Sequence, residues 1–160
     1  MVSVILLVVH VVGGTAGLLL GPLVMREDNR RFAAGERGPG RYGDWYLVAV
    51  VIVCVSAVGL VWVKRADLWW LVPVSALTVG LAVLAREATR RRFRGWTHAY
   101  VHGLGGSYIA QVTALIVVSL AVNGPVRGAA ELVVWLGPTA VGTVLIEIWR
   151  RRLRIVPLSA

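Results

Sequence analysis

Residues 2–25 read VSVILLVVHVVGGTAGLLLGPLVM, an unbroken apolar run whose one titratable side chain is His10. A helix of that length rises roughly 36 Å at ~1.5 Å per residue, enough to cross a hydrocarbon core of about 30 Å. No Lys or Arg precedes its apolar core, and it is long for a signal peptide, so the expectation is a retained helix. Four more runs of spanning length follow at 45–63, 68–85, 96–122 and 129–148. Lipid admits only helices, whose backbone groups are satisfied within the segment, or closed barrels. None of the runs alternates with the period of a barrel strand. The sequence therefore predicts an all-α integral membrane protein, a single transmembrane domain over 1–160 built as a bundle of five transmembrane helices. Composition agrees, since 58% of the 160 residues are apolar and 16% charged, against about a quarter charged in an average soluble domain.

The chain carries a formal charge of +9, and the placement of that charge decides what it implies. Arg26, Arg30, Arg31, Arg37 and Arg41 lie between the first and second runs. Arg86, Arg90, Arg91, Arg92 and Arg94 lie between the third and fourth, and Arg150, Arg151, Arg152 and Arg154 follow the fifth. Of the 17 cations, only Lys64, Arg65 and Arg127 stand elsewhere. An odd number of spans puts the three basic segments on one side, which the positive-inside rule makes cytoplasmic, with the N-terminus outside and the C-terminus inside. A nucleic-acid binder would carry its cations on a soluble face interleaved with aromatic residues. Here they fall in short connections facing the headgroups of the lipid bilayer, and nucleic acid is excluded as a partner. Trp45, Trp96 and Trp149 fall at the inner boundary and Trp62, Trp69 and Trp70 at the outer one, as interfacial indoles do. Trp135 stands well inside the fifth run. The connection 26–44, with Gly35, Gly38, Pro39, Gly40 and Gly43, reads as a cytoplasmic loop. Cys54 is the single cysteine and reads as a small hydrophobe.

Polar groups inside hydrocarbon are costly, which makes them the functional suspects. His10 shares a helix face with Gly14, Gly17 and Gly21, small residues that let another backbone approach. His10 therefore points toward a neighbouring helix, either as a structural hydrogen bonder or as a ligand. In the fourth run His98 and His102 are four apart and share a face. Two imidazoles at that spacing hold one metal ion if a third ligand comes from elsewhere. Asp44 and Glu147, near the same boundary, are the candidates for it. Ser107, Tyr108 and Gln111 lie on roughly the opposite face, where Tyr108 and Gln111 are candidates for supporting polar contacts. A haem held by His10 and His102 is disfavoured, because the two differ in depth by roughly 16 Å at ~1.5 Å per residue. A single-histidine haem, a haem shared between subunits, or a quinone bonded by His98 or His102 stays open. No Ser/His/Asp set and no close acid pair is legible, so the sequence assigns no reaction.

The first run also carries a pattern, His-x-x-x-Gly-x-x-(Ala/Gly)-Leu-x-x-Gly-Pro, met here by His10, Gly14, Gly17, Leu18, Gly21 and Pro22. In this, in Gly40-Arg41-Tyr42, and in His102 followed by Ser107-Tyr108, the chain resembles a bacterial family of small multi-pass predicted membrane proteins of unknown function. The family's His-Arg opening of the second helix is Glu36-Arg37 here. The resemblance implies the same topology and a bacterial inner membrane. The leading expectation is a redox-linked or cofactor-binding membrane protein that uses His10, His98 and His102 to hold haem, a metal ion or a quinone. The rival is a non-catalytic accessory subunit or scaffold packing against partner membrane helices, as a homo-oligomer or in a larger complex. A transporter ranks third, for want of paired discontinuous helices.

Overall fold

The first helix does not stop where its apolar run ends. In the computed structural model, which describes residues 2–36, 38, 40–64, 66–122 and 124–154, α1 runs Val2–Ala33. Arg37, Pro39 and Arg65, placed above in the connections, lie outside the described residues, as does the side chain of Arg154. The segment after Met25 is rich in residues that lose little entropy in a helix, and Arg30 and Arg31 in its last turn complement the dipole. Pro22 is accommodated inside α1 without ending it, as neighbouring helices allow in membrane spans. The expected 26–44 loop thereby shrinks to the few residues before α2, Arg41–Lys64. A 3-10 turn, Ala66–Leu68, leads to α3, Leu71–Arg91. Arg92 (φ 44°) and Gly95 (φ 82°) then turn the chain sharply into α4, Trp96–Val117, which continues as one π turn, Val118–Val122. The last helix, α5, is Ala130–Arg154. All five are long and apolar enough to cross a membrane, and the fold is that of a multi-pass membrane protein.

Neighbours in sequence pack as neighbours in space. Helix α1 lies along α2, α2 along α3, α3 along α4, and α1 returns to touch α4, closing a ring of four helices. Helix α5 is held outside that ring, mainly against α4. The core they enclose includes Val24, Tyr46, Val50, Ala85, Tyr100 and Leu104. Glycines set the separations. A Cβ at Gly103 would stand 2.7 Å from the carbonyl oxygen of Leu81 and 2.8 Å from the amide of Ala85, so α3 and α4 touch backbone to backbone there. Gly105 admits Ile146, and Gly142 admits Ile109, which seats α5 on α4. The glycine face of α1 is divided between two neighbours. Gly13 and Gly14 receive Ile52 and Val53 of α2, while only Gly17 and Gly21 face α4, where Gln111 and Tyr108 fill the space.

The outer surface is apolar, as hydrocarbon solvent permits. Val4, Val8 and Val12 on α1 and Leu132, Val133 and Val144 on α5 are all exposed. The three basic segments gather at one end, joined by Arg86 to Asp44 at 2.6 Å, Arg92 to the carbonyl of Glu36, and Trp149 to Asn29 at 2.8 Å. At the far end Trp135 meets Trp70 edge-on at 4.9 Å, which accounts for an indole placed inside the fifth run.

Candidate functional site

Two groups of polar side chains lie in or beside the spans, and they differ in how far they are engaged by partners inside the protein. The first is a buried layer at the basic end. Asp28, 2% exposed, accepts from the Tyr100 hydroxyl at 2.8 Å and from the Gly40 amide at 3.1 Å. Glu27 accepts from the Tyr42 amide at 3.1 Å. Two carboxylates of α1 thus take up amide groups at the start of α2, where a helix leaves its first N–H groups unpaired and its dipole is positive. Phe32 packs edge-on against Trp96 and Tyr100 at 5.1 and 5.2 Å. The Arg92 guanidinium lies 4.7 Å from the Trp96 ring centre, a cation–π contact.

Deeper in, a chain of donors runs from α4 to α2 and back. Gln111 Nε2 donates to Tyr46 Oη at 3.0 Å, which bonds Ser107 Oγ at 2.8 Å, and Ser107 donates on to the Leu104 carbonyl at 2.9 Å. Tyr108 donates to the Leu18 carbonyl at 3.3 Å. Between the two layers is a small cavity of about 20 Å³ lined by Asp28, Tyr46, Arg86, Thr89 and Tyr100. That is room for one water and far below the hundreds of Å³ a cofactor occupies. His10 belongs with these groups, since its Nδ1 lies 3.1 Å from the Val53 carbonyl and 3.2 Å from Ser56 Oγ. Those contacts lock α1 to α2 at the depth of Gly13 and Gly14.

The second group is the imidazole pair. His98 and His102 adjoin on one side of α4, their rings tilted at 49° with centres 4.1 Å apart. His98 is exposed and His102 half-buried. Among the described residues their ring nitrogens make no hydrogen bond. They sit in the first two turns of α4, at the basic end, with Glu147 and Arg150 of α5 close enough to act on His102 electrostatically. The two acids suggested as a third ligand are engaged elsewhere. Asp44 pairs with Arg86 at 2.6 Å, and Glu147 takes Arg150 at 2.6 Å and Arg151 at 2.8 Å. Among the described residues no group of three His, Cys, Asp or Glu side chains is placed to hold one metal ion. Tyr108 and Gln111 face α1 and α2, away from the imidazoles.

Sequence reasoning assigned 26–44 to a loop and so passed over Asp28. The signal was present, because Gly17, Gly21, Val24 and Asp28 continue one helix face beyond Met25 at spacings of four, three and four. Comparison with protein-family models, with curated proteins and with solved structures returned no match, so a functional reading rests on geometry alone.

Proposed function

We propose that this chain is a redox-linked or cofactor-binding protein of the bacterial inner membrane, taking a metal ion or a quinone headgroup at the His98–His102 pair. One observation carries the reading: these imidazoles adjoin each other, at least partly exposed and without hydrogen bonds among the described residues, whereas His10, Asp28, Asp44, Glu147 and Tyr46 are committed to partners inside the protein. A quinone needs only a donor or acceptor beside apolar surface, and the boundary face of α4 offers both. A metal ion would take its remaining ligands from solvent or from a second copy. Haem fits only as a group on this outer face, held by a single histidine or shared between copies. His10 is assigned a structural role.

The N-terminus is placed outside and the C-terminus in the cytoplasm by the positive-inside rule, in line with the resemblance to the bacterial family. Titration of the purified protein with cobalt(II), followed by its visible spectrum, and with a short-chain quinone tests the site. Binding of either that disappears in the H98A/H102A variant supports the reading; saturable binding that survives the double substitution overturns it. A second reading, an accessory subunit packing against partner membrane helices, is favoured by the peripheral seat of α5, whose Leu132, Val133, Leu136 and Val144 face away from the ring. That reading predicts copurification with a larger complex.

A further inference from the structure

Helices α1 and α5 approach each other at the basic end, where the Trp149 indole donates to Asn29 Oδ1 at 2.8 Å. The gap between them forms an open groove of about 530 Å³ lined by Asn29, Leu145, Ile148, Trp149, Arg152 and Leu153. The five α5 residues recur at i, i+3, i+4, i+7 and i+8, so one face of that helix forms a wall. The wall is graded. Leu145 and Ile148 lie toward the middle of the span, Trp149 stands at the boundary, and Arg152 stands beyond it. Arg152 is exposed and, unlike Arg150 and Arg151, makes no ion pair among the described residues. Asn29 uses Oδ1 on the indole, which leaves its amide NH₂ as a second donor on the opposite wall. Arg26, one turn earlier on the same side of α1, is exposed and also unpaired among the described residues.

We infer that this groove seats one anionic phospholipid, its phosphate on Arg152 and Asn29 and an acyl chain along Leu145 and Ile148. Charge complementarity selects the occupant. The groove's open end is cationic with no counter-charge among its lining residues, its inner part is purely apolar, and the boundary between them coincides with an indole. Basic pockets between membrane helices bind acidic headgroups in this way, and a zwitterionic lipid, whose phosphate comes with its own cation, would leave the groove's net charge uncompensated. The inference is independent of the imidazole pair, which lies on α4.

The full-length protein, delipidated in detergent and titrated with phosphatidylglycerol or phosphatidylcholine, is measured by native mass spectrometry. One phosphatidylglycerol per chain binds in preference to phosphatidylcholine. Arg152→Gln lowers that preference about fivefold, the worth of one near-surface cation. Arg152→Lys keeps most of it, and Lys64→Gln, at the far end, changes nothing. Equal retention by Arg152→Gln, or no preference between the two lipids, overturns the assignment. Displacement by millimolar inorganic phosphate also overturns it, since the site would then recognise a free anion and not a lipid.

Discussion

A carboxylate that is 2% exposed in a mostly apolar protein is expensive unless its oxygens are bonded, and both oxygens of Asp28 are. The Tyr100 hydroxyl and the Gly40 amide lose their acceptor if it is removed. Asp28→Ala is therefore expected to cost about 1–3 kcal/mol, read as a lower midpoint of thermal unfolding in detergent. Asp28→Asn, which keeps one oxygen, recovers part of it, and Glu27→Ala, at a half-buried position, costs less. An Asp28→Ala protein as stable as the parent would show that the layer is not a clamp. At this scale the sequence is informative about type and blind to partnership. It singles out His10 from its hydrocarbon depth and glycine face, but only the packing reveals the Val53 carbonyl and Ser56 that engage it. The engagement of Asp44 is equally invisible, because Asp44 and Arg86 are joined by tertiary structure across 42 positions of chain, whereas that of Glu147 is legible, since Arg150 and Arg151 follow it at helical spacings of three and four.

Helices were the most legible level, because a span needs about 20 apolar residues and that length is written in composition. All five runs became helices, and the differences are at their ends. Helix α1 outruns its apolar segment by two turns, and α5 continues through its arginines to Arg154. Hydropathy marks where a helix leaves lipid, not where it ends. Which helices would touch was less legible: a glycine face announces a close neighbour without naming it. Gly103 illustrates the point, meeting the backbone of α3 at Leu81 and Ala85. Because a Cβ there would strike backbone atoms, which cannot rotate away, Gly103→Ala is expected to destabilise by about 1–3 kcal/mol, as overpacking does. Gly80→Ala, which meets nothing within 4 Å, is the matched control in the same unfolding assay. Equal midpoints for the two variants would contradict the backbone contact between α3 and α4.

For the whole molecule, the gathering of three arginine-rich segments at one end of an odd-numbered bundle makes a prediction about sidedness. In a Cys54→Ser background, a cysteine introduced at Ala33 is expected to react with a membrane-impermeant maleimide only after the cells are permeabilised. One at Ser3 is expected to react in intact cells. The reverse pattern would invert the topology. The same view of the molecule separates its two kinds of polar group. Most of the interior ones are matched to each other, although Gln111 Oε1 and Thr113 Oγ1 are buried without a partner, and the cavity beside Asp28 holds about 20 Å³, too little for anything larger than water. His98 and His102 are the imidazoles that face outward with unbonded nitrogens. The measurement that tests this most directly is a ligand inventory of protein purified in mild detergent: an optical spectrum, metal analysis and quinone extraction on the parent, H10A and H98A/H102A. The account predicts a near-stoichiometric metal or quinone in the parent and in H10A, lost from the double variant. An equal ligand content in the double variant, or loss in H10A alone, would contradict it.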